Sequence, residues 1–327
     1  MADLPRIAVL DDSQRVARTS ADWSTLAGRA ELVVLEPFAD EDDAARRLLP
    51  FDILVPMRER TAFPASLVER LPNLKLLAMT GPRAPTFDLA ACTARGILVC
   101  NTGANTGAAT AELALALMLA CRRAVPQADR AMKAGSWHEG VPIGAVLEGR
   151  RLGLLGLGKL GSRVAGYGRA FGMEVVAWSQ NLTAEAAEAA GARRVEKAEL
   201  FATADVVSLH LVLSQRTRGI VGAAELAAMK PGATLVNTAR GPLVDEAALL
   251  DALRSGRIGA GLDVYDREPL PADHPLRALP NVVLTPHLGY SANHVYEQFY
   301  GESLENIRAY LDGRPIRVVN PEVLERG

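Results

Sequence analysis

Short apolar runs, separated by mixed polar and apolar segments, recur along most of the chain and predict alternating strands and helices. Five runs lie in the first hundred residues, at Ile7–Leu10, Glu31–Leu35, Ile53–Val55, Leu74–Met79 and Ile97–Cys100. Six more follow, at Leu152–Leu155, Met173–Trp178, Val206–Leu211, Thr234–Asn237, Gly259–Val264 and Val282–Leu284. Because this alternation is typical of parallel sheets covered by helices, we predict an α/β protein with two doubly wound parallel sheets.

Two helical patterns connect the predicted sheets. The segment Asn101–Ala108 precedes A-T-A-E-L-A-L-A-L-M-L-A-C-R-R, a helix that is apolar on nearly all faces. Such a helix must be buried, between domains or between subunits. A second long helix is predicted over Ser291–Leu311, which crosses back to the first domain.

A glycine-rich turn stands between the two halves of the pattern, in the sequence L-G-L-L-G-L-G-K-L-G that begins at Leu152. A strand precedes it, a helix is predicted over Ser162–Phe171, and another strand follows. In a dinucleotide-binding βαβ unit, Gly156 makes the tight turn, Gly158 lets the backbone approach a pyrophosphate, and Gly161 allows the helix to pack closely. The phosphates then lie at the N-terminus of the helix.

The end of the next strand bears on the choice of cofactor. An acidic residue there usually binds the ribose hydroxyls of NAD, but this chain has Ser179 followed by Gln180. No carboxylate would repel a 2′-phosphate, and Arg193 or Arg194 is available to reach one. The turn therefore favours NADP, with NAD or the use of both left open.

Bulk properties narrow the class of protein. The chain has 327 residues, 49% of them hydrophobic, and a formal net charge of −2, so two domains are expected and general attraction to nucleic acid or an anionic membrane is not. The longest apolar run, Leu113–Cys121, is far shorter than the about 20 residues of a membrane span. The three cysteines show no pairing motif and indicate free thiols in a cytoplasmic enzyme. No metal-binding motif is present.

Three polar side chains, Arg240, Glu268 and His287, each follow the carboxyl end of a predicted strand in the second sheet. Because these ends meet at one edge of a parallel sheet, we expect the three groups to converge where ligands bind. Each residue alone also fits an ordinary structural role, as a surface ion pair, a solvated turn residue or a strand-end histidine. Their common edge favours a joint role beside a nicotinamide.

This trio suits the reduction of a 2-oxo acid. His287 is the natural proton donor to the carbonyl oxygen, and Glu268 would fix its tautomer from the other ring nitrogen. Arg240 would bind the carboxylate and carbonyl oxygens with its planar guanidinium group.

Further candidates lie at other strand ends. In the first domain, Arg58 and Arg60 are positioned to bind a substrate carboxylate, and Gly81 offers backbone N–H groups; a charged surface turn is the alternative for the arginines. In the second domain, His210 is expected to line the adenine side, and Asp263 to hold the nicotinamide amide. The predicted cofactor site also includes Lys159 and Leu160 of the glycine loop and Thr238.

With these residues identified, the chain resembles the D-isomer-specific 2-hydroxyacid dehydrogenases over nearly its whole length. The motifs that carry the resemblance, in the family's order, are L-G-L-L-G-L-G-K-L-G, A-D-V-V-S-L-H-L, M-K-P-G-A-T-L-V-N-T-A-R-G, G-L-D-V-Y-D-R-E-P-L-P and N-V-V-L-T-P-H-L-G. The resemblance places Arg240, Glu268 and His287 on the family's catalytic residues and Asp263 on its nicotinamide contact. It also places Arg58 on an arginine that some members use to bind substrate.

The resemblance implies a Rossmann nucleotide-binding domain, residues 101–290, inserted into a flavodoxin-like substrate domain made from residues 1–100 and 291–327. It further implies a homodimer built on the nucleotide domains and a small 2-oxo or 2-hydroxy acid substrate, with glyoxylate or hydroxypyruvate as first choices. Two departures from the family pattern are Ser179, which replaces the usual acid, and Tyr290, which replaces a small residue and is expected to reshape the substrate pocket.

Two other functions stay open at this point. A 3-phosphoglycerate-type dehydrogenase has the same motifs, and a non-enzymatic binding module gated by a dinucleotide has the same fold. Turnover of a 2-oxo acid separates the enzymes from the binding module.

Overall fold

The computed structural model describes residues 4–83, 85–103 and 106–325. The chain divides into two compact units, one made of Met1–Thr106 with Ser291–Gly327 and the other of Gly107–Tyr290. The predicted connecting segment Asn101–Ala108 falls partly outside the described residues, which omit 104 and 105.

Unit 1 is built on a parallel sheet of five strands. They are β1 (Arg6–Val9), β2 (Glu31–Val34), β3 (Ile53–Val55), β4 (Leu76–Ala78) and β5 (Leu98–Cys100), in the order β2-β1-β3-β4-β5. This is the flavodoxin-like order. Strands β1, β3, β4 and β5 are almost wholly buried, as expected for a sheet with helices on both faces, whereas the edge strand β2 is partly exposed.

Helices flank this sheet, as α1 (Ala17–Ser20), α2 (Glu41–Leu48), α3 (Ala65–Val68) and α4 (Leu89–Ala94). The C-terminal helix, Asn293–Leu311, also belongs to unit 1 and begins just after the predicted start. Its Tyr300 is buried edge-on against Trp23, and its Tyr296 stacks on Tyr300. The contact of Tyr300 with Trp23 fixes the helix against the N-terminal part of the unit.

Unit 2 is built on a parallel sheet of seven strands. They are β6 (Arg151–Leu155), β7 (Glu174–Trp178), β8 (Arg193–Arg194), β9 (Val206–Leu209), β10 (Thr234–Asn237), β11 (Gly259–Leu262) and β12 (Val282–Leu284). The strand order is β12-β11-β10-β9-β6-β7-β8. Strands β7 and β8 are added on one side of β6 and strands β9 to β12 on the other, so the switch point lies between β6 and β9, as in a Rossmann fold. The predicted fold class, with two doubly wound parallel sheets, is confirmed.

The helices of unit 2 are α5 (Ala108–Arg122), α6 (Val125–Lys133), α7 (Lys159–Ala170), α8 (Ala184–Ala189), α9 (Lys197–Thr203), α10 (Ala223–Ala228) and α11 (Glu246–Arg254). In α5, a stripe of Ala111, Ala114, Leu117 and Met118 is buried on the sheet. Gly261 of β11 allows this approach, since a Cβ there would lie 3.0 Å from Leu117 Cβ. The rest of α5 is only partly covered in the single chain, and its expected burial between domains or between subunits stays a prediction.

Three differences from the predicted elements bear on the site. Strand β11 ends at Leu262 rather than Val264, so Asp263 opens the following loop. Helix α7 begins at Lys159, directly after Gly158, rather than at Ser162. Strand β8 was not predicted, because it consists of two arginines with no apolar pattern.

No helix in the described part of the chain is both long enough and apolar enough to cross a membrane.

Candidate active site

The glycine loop between β6 and α7 has the geometry of a phosphate-binding turn. Gly156 has a φ of +102°, and a Cβ there would lie 2.8 Å from the backbone carbonyl of His210. At Gly161 a Cβ would lie 2.1 Å from the carbonyl oxygen of Gly156. Both positions therefore require glycine, one for the turn and one for the close approach of α7.

Space for a ligand lies in front of Gly158. Gly158 is the N-cap of α7, and a Cβ on it would meet no atom within 4 Å. Lys159 and Leu160 form the first turn of that helix, whose backbone N–H groups attract anions. The open backbone at Gly158 therefore fits a dinucleotide pyrophosphate.

Thr238, the residue after β10, provides a second sign of a ligand. It is buried, and its hydroxyl has no hydrogen-bond partner among the described residues. Buried hydroxyls are almost always paired, so a polar group of a bound ligand would satisfy this one. The observation fits the predicted cofactor contact at Thr238.

His210 lies under the glycine loop at the end of β9. Its Nε2 is 2.9 Å from Ser208 Oγ, and burial lowers its pKa to about 4. The imidazole is therefore neutral near pH 7. The backbone of His210 packs closely against Gly156 and its Cβ faces Gly161, so the residue supports the glycine loop.

Arg240, Glu268 and His287 follow three adjacent strands, β10, β11 and β12, at the carboxyl edge of the same sheet. His287 Nδ1 lies 2.5 Å from Glu268 Oε2. The loop of Arg240 is pressed against the loop of Glu268, because a Cβ on Gly241 would lie 2.1 Å from the backbone carbon of Tyr265. The structure thus brings Glu268 and His287 into contact. It also packs the backbone beside Arg240 against the loop that carries Glu268.

His287 occupies a strained turn with a φ of +55°, in a region that residues other than glycine rarely adopt. The carboxylate of Asp263 holds this turn. Its Oδ1 accepts from Leu288 N at 2.7 Å and from Thr285 Oγ1 at 2.6 Å, and its Oδ2 accepts from Gly289 N at 2.9 Å. Asp263 therefore determines where the imidazole stands.

The predicted nicotinamide contact at Asp263 stays a prediction. The residue is wholly buried, both carboxylate oxygens are engaged by the His287 turn, and burial raises the pKa of the group. The hydrogen bonds show that Asp263 also positions the turn of His287.

Tyr265 is a second positioning residue, and the sequence interpretation missed it. Its hydroxyl lies 3.1 Å from the carbonyl oxygen of Leu262 and 2.8 Å from that of Thr285, so it connects the ends of β11 and β12. Its backbone N–H donates to Glu268 Oε1 at 3.1 Å. The only signal available beforehand was a tyrosine three residues before Glu268, in a run that otherwise predicts an apolar strand.

Tyr290 lies beside the catalytic candidates. Its ring centroid is 6.1 Å from that of His287, with the planes inclined by 70°. This edge-to-face contact limits the movement of the imidazole. Tyr290 is a large side chain at a position where the family pattern usually has a small one.

In unit 1, the predicted substrate residues gather at the carboxyl ends of β3 and β4. Arg58 Nη2 donates to Glu59 at 2.9 Å, and its side chain lies across Gly81, where a Cβ would be 2.6 Å from Arg58 Cδ. Arg60 lies near Asp11, a buried carboxylate at the end of β1. The Gly81 N–H donates to the Thr102 hydroxyl at 2.6 Å, so the open N–H group predicted at Gly81 is already engaged.

Comparison with known proteins supports the interpretation of unit 2. A family model described as the NAD binding domain of the D-isomer specific 2-hydroxyacid dehydrogenases matches residues 115–289. The chain belongs to this family. The predicted family and the dinucleotide-binding fold are therefore confirmed.

Individual relatives agree with this assignment. The chain is 36% identical to a D-3-phosphoglycerate dehydrogenase of Archaeoglobus fulgidus, over 84% of this chain and 52% of that protein. It therefore spans about half the length of that relative. It is 38% identical to a glyoxylate reductase of Aeropyrum pernix, over 79% of this chain and 80% of that protein.

A solved structure extends the likeness to the whole fold. The crystal structure of a phosphoglycerate oxidoreductase from Vibrio cholerae O395 superposes with a TM-score of 0.89 and 39% identity, covering 95% of this chain and 100% of that one. The likeness therefore includes both units.

Burial of His210 predicts a specific acid sensitivity. Its pKa falls from 6.5 to about 4 on folding, so below pH 6.5 the unfolded chain binds a proton that the folded chain does not. The free energy of unfolding should fall by up to about 3 kcal/mol between pH 7 and pH 4 through this group alone. Urea unfolding at a series of pH values should show that His210→Gln loses this component, whereas the exposed His138→Gln retains it. Identical pH dependence in all three proteins would contradict the assignment.

Replacing Asp263 by Asn should release the His287 turn. An amide cannot accept from all three donors, so we expect the free energy of unfolding to fall by about 3 kcal/mol and turnover to fall with it. Asp245→Asn is the matched control, since Asp245 is exposed and an Asn serves equally well as the N-cap of α11. Chemical denaturation measures both variants. Equal stability of the two would show that Asp263 does not hold the turn.

Proposed function

We propose that the chain is an NAD(P)-dependent oxidoreductase that transfers a hydride between the nicotinamide and C2 of a small 2-oxo or 2-hydroxy acid. The observation that carries the proposal is the 2.5 Å contact of Glu268 with His287 Nδ1, at the sheet edge that also carries the glycine loop. Glyoxylate and hydroxypyruvate are the first substrates to test. Unit 2 is the nucleotide-binding domain and unit 1 the substrate-binding domain in this proposal.

His287 acts as the proton donor in the direction of reduction. Because Glu268 accepts the hydrogen bond from Nδ1, Nε2 is the ring nitrogen left to face the substrate. A bound reduced nicotinamide would supply the hydride to C2. His287 would donate the proton on Nε2 to the carbonyl oxygen. Glu268 stabilises the charged imidazole before transfer and holds the neutral ring in the tautomer that accepts the proton back in the reverse reaction.

Arg240 binds the substrate in this proposal. A guanidinium group at the same edge can hold the carboxylate and the carbonyl oxygen, which orients C2 and stabilises the negative charge that develops on oxygen. In unit 1, Arg58, Arg60 and Gly81 form the proposed substrate-binding group, with Arg58 braced by Glu59 and by the backbone of Gly81. Tyr290 would restrict the size of the substrate beside His287.

NADP is the proposed preferred cofactor, with NAD as the alternative. The turn after β7 presents Ser179 and Gln180 in place of an acidic side chain, so nothing there repels a 2′-phosphate. In either case the open backbone at Gly158 binds the pyrophosphate, while Gly156 and Gly161 shape the turn and let α7 approach. A 3-phosphoglycerate-type substrate is the second candidate, supported by the name of the Archaeoglobus relative.

A homodimer formed through unit 2 is also proposed. Apolar side chains protrude from residues 125–146, where Trp137 is 66% exposed and Ile143 fully exposed. A groove of about 550 Å³ lies on the same unit, lined by Leu119, Val146 and Phe171 together with the charged residues Arg123, Glu148 and Arg169. Exposed apolar patches of this kind mark interfaces, and a two-fold axis would let each copy cover the other. The three cysteines are all free thiols, which suits a reducing compartment such as the cytoplasm.

Replacing His287 by Asn should remove the proton donor without disturbing the cofactor. Turnover of hydroxypyruvate should fall by about 100-fold or more, because general acid catalysis contributes about 10²- to 10⁴-fold. The affinity for NADPH, measured by its fluorescence, should stay unchanged. His294→Asn on the exposed face of the C-terminal helix is the control. Normal turnover in the His287 variant would refute the role of this residue.

The proposed interface predicts the effect of a single charge. Ile143→Asp would bury a carboxylate in an apolar contact, so we expect dimers to dissociate into monomers in sedimentation velocity experiments. Glu139→Asp, a conservative change on the same exposed segment, should leave the dimer intact. A monomeric parent protein, or a dimer unaffected by Ile143→Asp, would argue against this interface.

A further inference from the structure

The turn that follows β7 is neutral, so any charge that recognises a 2′-phosphate must come from another element. Ser179 is half-buried and Gln180 is exposed, and the turn continues through Asn181 and Leu182 to Thr183, the N-cap of α8. Hydroxyl and amide groups can donate hydrogen bonds to a phosphate, but they do not neutralise it. A nearby cation is required for a strong preference.

Strand β8 supplies two candidate cations with opposite orientations. It pairs in parallel with β7, with Arg193 beside Val176 and Arg194 beside Ala177. Because successive side chains of a strand point to opposite faces, the two arginines cannot serve the same site.

Arg193 is directed away from the turn. Its guanidinium group contacts Glu199 of α9 at 3.2 Å and Glu174 at the start of β7 at 3.5 Å. Glu174 lies at the amino end of the strand, opposite to the edge that carries the glycine loop. Arg193 therefore has a structural role on the outer surface of the domain.

Arg194 is directed towards the turn. Its Nε donates to the carbonyl oxygen of Leu182 at 2.9 Å, which fixes the guanidinium group against the segment that begins at Ser179. Its Nη1 contacts Glu196 Oε1 at 3.0 Å, and that glutamate side chain is 71% exposed. An exposed ion pair of this kind contributes about 0–1 kcal/mol, so a phosphate can replace the carboxylate at little cost.

We propose that Arg194 is the residue that selects NADPH over NADH, by pairing with the 2′-phosphate while Ser179 donates a hydrogen bond to it. The anchored Nε orients the planar group, and its remaining N–H groups match two phosphate oxygens. Glu196 competes for the same N–H groups and weakens the preference. This inference rests on the proposed function only in that the ligand is a dinucleotide.

Calorimetric titration of the full chain with 2′,5′-ADP and with 5′-ADP tests the proposal without any turnover. The parent protein should bind 2′,5′-ADP more tightly than 5′-ADP. Arg194→Ala should weaken 2′,5′-ADP binding by about 10- to 100-fold and leave 5′-ADP binding within about two-fold. Arg193→Ala, the neighbouring matched control, should change neither affinity. Glu196→Gln should strengthen 2′,5′-ADP binding several-fold.

Three results would overturn the proposal and leave the dinucleotide-dependent function standing. These are a parent protein with no preference for 2′,5′-ADP, equal losses in the two arginine variants, or an Arg194 variant that retains the preference. A parent protein that binds neither nucleotide would also overturn it, and only that result would remove the proposed dinucleotide-dependent function as well. Fluorescence titration with NADPH and NADH repeats the comparison on the whole cofactors.

Discussion

The site depends on one buried carboxylate. Asp263 accepts hydrogen bonds from two backbone N–H groups and one hydroxyl of the segment 285–289, and these bonds keep His287 in a left-handed conformation that its side chain would not adopt unaided. Thr110 at the start of α5 adds a bond to the Gly289 carbonyl oxygen. With the turn held, Nδ1 of His287 reaches Glu268, and Tyr265 joins the two strands that carry them. The imidazole proposed as the proton donor is thus positioned by Asp263, Thr110 and Tyr265.

The parts of the fold that were predictable follow from local requirements. The glycines from Gly156 to Gly161 are required by the path of the backbone over a few residues. Neighbouring backbone atoms leave no room for a Cβ at Gly156 or at Gly161. The buried strands are apolar because parallel sheets are covered on both faces. The order of the five-stranded sheet, in contrast, came from the resemblance to a family, since apolar runs do not encode which strands are neighbours.

The parts that were not predictable depend on distant partners. Strand β8 exists because its backbone pairs with β7, and its two arginines carry no apolar signal. Asp263 has the position of a ligand-binding residue, and only the amides of Leu288 and Gly289, far along the chain, show that it also holds the turn of His287. Gly81 looked like an open backbone donor until the Thr102 hydroxyl was found on its N–H. In each case a non-local hydrogen bond determines the role.

The central claim is that the residues at this sheet edge catalyse hydride transfer to C2 of a 2-oxo acid and proton transfer to its oxygen. The most direct test is to incubate the protein with hydroxypyruvate and NADPH deuterated at C4 of the nicotinamide, and to examine the product by proton NMR. The label is placed on each face of the nicotinamide ring in turn. The account predicts that one of the two labelled cofactors gives a 2-hydroxy acid with deuterium at C2. A reduced product that carries no deuterium from either face would contradict it.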